Sequence, residues 1–333
     1  MTRALAVLVS AALVLGQAQP ALAYLKFGVS IGGRQVTLKW AQTPVRYFVS
    51  NQGITDISVS DLQTTLDRAF ATWQSVPTAT ISYQFGGITT ALPGRDDGSS
   101  TLGFQSRPEL DRVLASTSFM IDRVTGALIE SDVFFNTAFP WSVSPAGTTG
   151  RYDLESVALH EIGHFSGLGH SALGETELRD TGGRRVLAAE AVMFPIAFAP
   201  GSIAARTLKA DDIAGISDIY PESDFQQTSG SVSGHVTKDG QGVFGAHVIA
   251  FDAARGTLVA SFALNAQGQF SIAGLSPGVH VLRVEPIDDA DVDSFFDASR
   301  NADIDFRVAF ADHIVIVPRG GDSGETALKV VRK

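Results

Sequence analysis

Five residues within eleven set the chemistry of this chain: His160, Glu161, His164, Gly167 and His170, in Val157-Ala-Leu-His-Glu-Ile-Gly-His-Phe-Ser-Gly-Leu-Gly-His-Ser171. His160 and His164 are four apart. On a helix they share one face, one turn apart, about 6 Å in rise. Two imidazoles so placed reach a single metal ion at about 2.0–2.1 Å each. Glu161 follows the first of them and is placed to hold a water on that metal. Gly167 permits the backbone conformation that ends a helix, so the chain turns and returns His170 as a third ligand. Three neutral imidazoles leave the fourth position open, which is the arrangement of a catalytic zinc rather than a structural one.

Elements must exist to position these groups. Asp153 is placed to cap a helix whose core face includes Leu154, Val157, Ala158 and Ile162. Upstream, Val36, Leu38 and Trp40 alternate, as do Val45, Tyr47 and Val49, which predicts strands over 24–50. Ser60-Asp-Leu-Gln63 reads as a capping box opening a helix with Leu62, Leu66, Ala69, Phe70 and Trp73 on its apolar face. Ile81, Tyr83 and Phe85 predict the next strand. Residues 86–103, rich in Gly, Asp and Ser, read as loop, with Asp96-Asp97-Gly98 a solvated turn in preference to a calcium site. Val113–Met120 and Leu128–Phe135 predict two more strands. Ile213, Ile216 and Tyr220 mark one face of a last helix, ended by Pro221.

The chain resembles the metzincin metallopeptidases, and among them the matrixins. Three segments carry the likeness: the histidine stretch with Ser171 after it, Ala191-Val-Met193-Phe194-Pro195, and Leu208-Lys-Ala-Asp-Asp-Ile-Ala-Gly-Ile216. The resemblance implies a Met-turn at Met193 that supports the zinc from beneath without binding it. It also implies that the Phe194–Pro200 segment, Phe194 and Pro195 first, walls a substrate pocket, and that the strand near Val113–Met120 pairs with an extended peptide. The expected fold is therefore α+β, a metzincin domain with a twisted mixed sheet and three helices.

Departures from the animal matrixin pattern are visible too. Ser116 and Phe134 stand where histidines of a second zinc would be, and Asn136 and Phe139 replace acidic residues associated with calcium. One catalytic Zn2+ is expected; Ca2+ lacks its usual ligands. Twenty-two residues separate His170 from Met193, so Gly174–Glu190 reads as an inserted surface loop. The chain has no cysteine, so latency through a thiolate on the zinc is excluded chemically.

After Pro221 the character changes. Glu222–Gly230 is polar and reads as a linker. Beyond it, short apolar runs alternate with Gly and Asp turns: Val232–Thr237, Ala246–Phe251, Gln269–Ala273, Val279–Val284 and His313–Val317. They predict a small all-β sandwich over 231–333. Its strings resemble carboxypeptidase regulatory-like, transthyretin-type domains, with D-G and P-G pairs at the hairpin turns. His235, His247, His280 and His313 lack metal spacing and read as structural; the acidic stretch Asp288–Asp305 reads as a solvated loop. The linker predicts that residues 24–221 fold and cleave peptides alone.

Residues 1–23 read as a signal peptide, with Arg3, the apolar run Ala4–Leu15 and Ala21-Leu-Ala23 as cleavage site. A net charge of −10 with no basic stripe argues against nucleic acid. No later segment is long and apolar enough to span a membrane. The function expected is a secreted zinc endopeptidase, extracellular or periplasmic, a monomer acting on protein or peptide substrates. Two alternatives are a non-enzymatic adhesin or matrix-binding protein using the sandwich, with the zinc domain as scaffold, and a zinc hydrolase of non-peptide esters or amides.

Overall fold

The structure, a computed structural model, describes residues 26–31, 34–179, 184–288, 292–296 and 302–333. The expected signal peptide, 1–23, lies outside the described residues, as do Gly182 and Gly183 of the insertion and parts of the acidic stretch 288–305.

A hairpin of β1 (Gly28–Ile31) and β2 (Arg34–Thr37) leads to β3 (Lys39–Trp40), β4 (Val45–Ser50) and α1 (Val59–Gln74). Then come β5 (Tyr83–Thr89), β6 (Ser100–Gln105), β7 (Ala115–Ile121) and β8 (Ala127–Asn136). Short β9 (Trp141–Ser142) and β10 (Tyr152–Asp153) run into α2 (Leu154–Phe165). The hairpin of β11 (Gly174–Leu178) and β12 (Arg184–Ala189) and then α3 (Ala210–Ile219) follow. One mixed sheet runs β3-β8-β6-β4-β5, with β7 antiparallel on β8. Its other pairings are parallel.

α1 and α2 lie against this sheet through their apolar faces. Leu62, Leu66, Ala69, Phe70 and Trp73 of α1 are all buried. Each large side chain among them contributes about 1.5–3 kcal/mol of transfer free energy. Trp73 Nε1 donates to the carbonyl of Leu159 at 2.8 Å, which joins α1 to α2 and satisfies the buried indole donor.

Several expectations shift. The capping box sits two residues earlier than Ser60: Ser58 Oγ accepts from the amide of Asp61, and the Asp61 carboxylate accepts from the Ser58 amide. Both serines have an acidic or amide side chain three residues on, Asp61 for Ser58 and Gln63 for Ser60, and it is Asp61 that closes the reciprocal pair. Of residues 86–103, read as loop, 86–89 belong to β5 and 100–103 to β6, a central strand almost wholly buried. A strand covered on both faces does not alternate, and Ser100, Thr101 and Gly103 hid it. The insertion after His170, read as a surface loop, carries two antiparallel paired strands, β11 and β12. Ile216 of α3 and Tyr220, which caps its C-terminus, are buried, but Ile213 is 36% exposed.

The stretch read as a linker contains α4 (Phe225–Thr228), with Phe225 buried. It leads to β13 (Gly230–Lys238), β14 (Gln241–Gly242), β15 (His247–Asp252), β16 (Thr257–Phe262), β17 (Gln269–Leu275) and β18 (Gly278–Glu285). α5 (Val292–Phe295), β19 (Ala309–Phe310), β20 (Val315–Val317) and β21 (Asp322–Val330) complete the chain. One sheet is β14-β13-β17 with β21 parallel on β13; the other is β16-β15-β18-β19 with β20 on β18. Val232, Val236, Ile272 and Leu328 of the first share a core with Val248, Ala250, Leu282 and Val317 of the second. Asp239 and Gly240, both with positive φ, form the two-residue turn between β13 and β14.

These sheets are packed on the N-terminal portion. α3 lies on β16 and β17, and Ala214 of α3 belongs to the C-terminal core. Leu173 and Ala191 form a buried cluster with Ile249 and Ala260.

Candidate active site

α2 starts where the sequence predicts. The Asp153 carboxylate accepts from the amide of Ser156 at 2.9 Å and is paired with Arg206. The helix ends after Phe165 because Gly167, at φ +99°, turns the chain; a Cβ there would lie 2.4 Å from the carbonyl oxygen of Leu38. Within the helix, Gly163 lets the Met-turn approach. A Cβ at 163 would stand 2.2 Å from the sulfur of Met193. Met193 is 2% exposed and its carbonyl accepts from the Ser171 amide, next to His170.

His160, His164 and His170 come together, with one ligand nitrogen of each within 4.8 Å of the others. Each Nδ1 faces a backbone carbonyl at 2.8 Å: Val192 for His160, Leu168 for His164 and Ser294 for His170. A carbonyl only accepts, so each Nδ1 carries the proton and each Nε2 is a bare lone pair. The Nε2 atoms of His164 and His170 are 3.1 Å apart. Acceptors converging at that distance need a cation between them, and a set of imidazole nitrogens suits zinc. Burial, and then the neighbouring His170, pushes the pKa of His160 down to about 3. Burial also lowers His164, with the other two histidines adding to it, and lowers His170. The three rings are therefore neutral near pH 7, as metal ligation requires.

Glu161 is 5% exposed. Burial raises its pKa to about 7, opposed by a hydrogen bond that Thr117 of β7 donates to Oε2 at 2.6 Å. Sequence reasoning missed Thr117. Its one signal was a polar residue on the strand next to the site. Phe27 was also missed: its ring lies 5.4 Å from that of His164, and its amide donates to the carbonyl of Gly167. Phe194 is 7% exposed, its ring against Gly174 at the start of the hairpin, and Pro195 is half-buried.

The Met-turn is fastened from α3. The Asp212 carboxylate accepts from the amides of Val192, Met193 and Lys209. Burial raises Asp212 to about 6 despite these donors. Away from the site, the Asp132 carboxylate accepts from the amides of Gly94, Arg95 and Thr101, and that of Glu130 from Gly98. The loop containing Asp96-Asp97-Gly98 is thus stapled to β8 by main-chain donors. Asn136, where an acidic residue was expected from the family pattern, takes the amide of Arg107 and donates to three carbonyls.

A mixed sheet, a helix bearing two histidines, a third beyond a glycine turn and a buried methionine against the helix together form a metzincin-like arrangement with three imidazoles suited to a zinc ion. Residues 39–180, less than half of the chain, match the family described as Matrixin. "Metalloendoproteinase 1-MMP" of Arabidopsis thaliana is 29% identical over 198 residues, covering 55% of this chain and 44% of that protein. "Metalloendoproteinase 1" of Glycine max is 42% identical over 82 residues, 23% of this chain and 20% of that protein. The chain thus spans less than half the length of these curated relatives. Among solved structures, "The Bacillus anthracis TIE protein" aligns with a TM-score of 0.22 and 12% identity over 32% of this chain and 17% of that one, too slight a likeness to bear on the fold. No helix among the described residues is long and apolar enough to cross a membrane.

Proposed function

We propose that the protein is a secreted zinc endopeptidase that hydrolyses peptide bonds of extracellular proteins. The observation that carries this reading is the convergence of three unprotonated Nε2 atoms beside a buried glutamate. His160, His164 and His170 hold one zinc ion, whose chemistry when bound is Lewis acidity toward a water and the scissile carbonyl. Glu161 takes the proton of the attacking water and hands it to the leaving amine. Thr117 occupies Oε2, which leaves Oε1 for that proton. A carboxylate with a pKa near 7 is suited to both halves of the task.

The outer edge of β7 offers main-chain groups to an extended substrate, and the segment from Phe194 and Pro195 onward walls the pocket for one side chain. Met193 supports the ligands without touching zinc. The two C-terminal sheets with their shared core, and the positive-φ Asp239-Gly240 turn, support the reading of residues 231–333 as a carboxypeptidase regulatory-like sandwich. The signal-like composition of residues 1–23 supports export.

The test is a digest of an unbiased peptide library by the zinc-loaded chain with mass-spectrometric readout. Internal cleavages that stop on chelation and return with zinc are expected. Intact peptides alongside a hydrolysed ester or acyl-amide would instead assign the site to non-peptide chemistry.

A further inference from the structure

The three imidazoles are not held alike. Val192 and Leu168, which orient His160 and His164, belong to the same portion of the chain as the histidines. The carbonyl that orients His170 belongs to Ser294, 124 residues further along, in the C-terminal region. Phe295 follows it, its ring edge-on to His170 with centroids 6.3 Å apart and planes at 83°. Phe295 is itself buried in a cluster with Phe262, Leu264, Ile287 and Phe296, and Ala172, two residues after His170, packs on that cluster.

A separate fastening lies close by. Asp211, beside the Asp212 that holds the Met-turn, accepts from the amide of Ala260 in β16 at 2.8 Å. Adjacent carboxylates on one turn of α3 therefore tie the Met-turn and the C-terminal sheet to the same helix. A cavity with room for about one water lies between them, lined by His170, Ser171, Met193, Asp211, His247 and Phe262.

We propose that Ser294 and Phe295 are positioning residues of the metal centre: the Ser294 carbonyl holds the Nδ1 proton of His170 and the Phe295 ring fixes its plane, so that the third ligand is presented only while the C-terminal sheets are docked. The inference rests on the reading of the three histidines as zinc ligands. The partner of a ligating imidazole sets its tautomer and orientation, and losing such a partner typically costs about 10–100-fold in metal affinity. Without Ser294 the ring of His170 is free to turn its protonated nitrogen toward the site, which removes one lone pair from three. The C-terminal region is then part of the metal centre rather than a tethered module, and residues 24–221 alone bind zinc poorly.

The experiment uses the full chain loaded with zinc. In the unmodified protein, nitrogen-15 spectra of the histidine rings, assigned with His170→Gln, are expected to show a slowly exchanging proton on Nδ1 of His170. A freely exchanging proton there overturns the proposal, whatever the variants do. Chelator competition then gives zinc affinity. Phe295→Ala is expected to weaken it about tenfold or more, Phe295→Leu to recover most of the loss, and Ile316→Ala, exposed on the far part of the sheet, to leave it unchanged. Wild-type affinity in a folded Phe295→Ala contradicts the proposal. His170→Ala separates the two levels: loss of tight zinc there upholds the ligand reading even if Phe295→Ala is neutral, whereas retained zinc sinks that reading and this one with it.

Discussion

Buried carboxylates occupy two regions of the N-terminal portion and are satisfied differently. Asp132, in the loop-to-sheet staple, and Asp212, under the Met-turn, each accept three backbone amides. Glu161, at the histidine site, has a single side-chain donor, Thr117. A carboxylate whose lone pairs are filled by fixed main-chain donors is a fastener, since taking a proton there displaces donors with no other partner. A carboxylate with one hydroxyl on one oxygen keeps the other oxygen for a proton in transit. Burial raises all three, to about 6 for Asp132 and Asp212 and about 7 for Glu161. The pKa alone does not tell fastener from base; the kind of donor does, main-chain amides at Asp132 and Asp212 and a side-chain hydroxyl at Glu161.

The comparison can be broken at several points. The largest effect is expected where the site loses a ligand: His164→Ala should lose both tight zinc and turnover, checked by metal analysis and peptide cleavage. Next come the fasteners. Asp212→Ala strands the Val192, Met193 and Lys209 amides and should destabilise the fold by about 3 kcal/mol in urea unfolding. Asp132→Ala should cost a similar amount and, because its carboxylate bonds the 94–101 loop rather than any histidine or the Met193 turn, should leave zinc affinity unchanged. A near-neutral result at either position would show that water replaces the carboxylate and that the staple is dispensable.

A smaller and more specific effect is expected at Thr117. Its hydroxyl favours the charged form of Glu161, so Thr117→Ala should raise the pKa of that base. A base must be deprotonated to act, so the acid limb of kcat/KM should move to higher pH, by about one unit. Thr117→Ser should restore it. A limb that stays or moves to lower pH would remove Thr117 from the account. The smallest effect belongs to the exposed sheet residues Phe310 and Ile316, whose replacement by Ala should change stability by less than about 0.5 kcal/mol.

How much of this was legible before the structure follows from distance along the chain. The motif residues His160 to His170 are read from local spacing, since helix pitch and one glycine turn determine how they meet. Asp153 as a cap and the buried face of α1 are local in the same sense. β6 was hidden because a strand buried on both faces lacks alternation. The capping residue was misplaced by two positions because two serines compete and only the reciprocal bond to Asp61 decides. Ser294 was out of reach: a backbone carbonyl has no sequence signature, and 124 residues separate it from His170. The polar look of residues 222–230 pointed to a free tether, whereas the apolar contacts of Leu173, Ala191 and Ala214 with the second region come from scattered positions without periodicity.

The most direct measurement of the central claim is zinc content and casein turnover of the full chain beside Glu161→Ala. The account predicts one tightly held zinc per chain in both proteins and loss of about 10²–10⁴-fold in turnover in the variant alone. Full turnover by Glu161→Ala, or more than one tight zinc per chain, would contradict it.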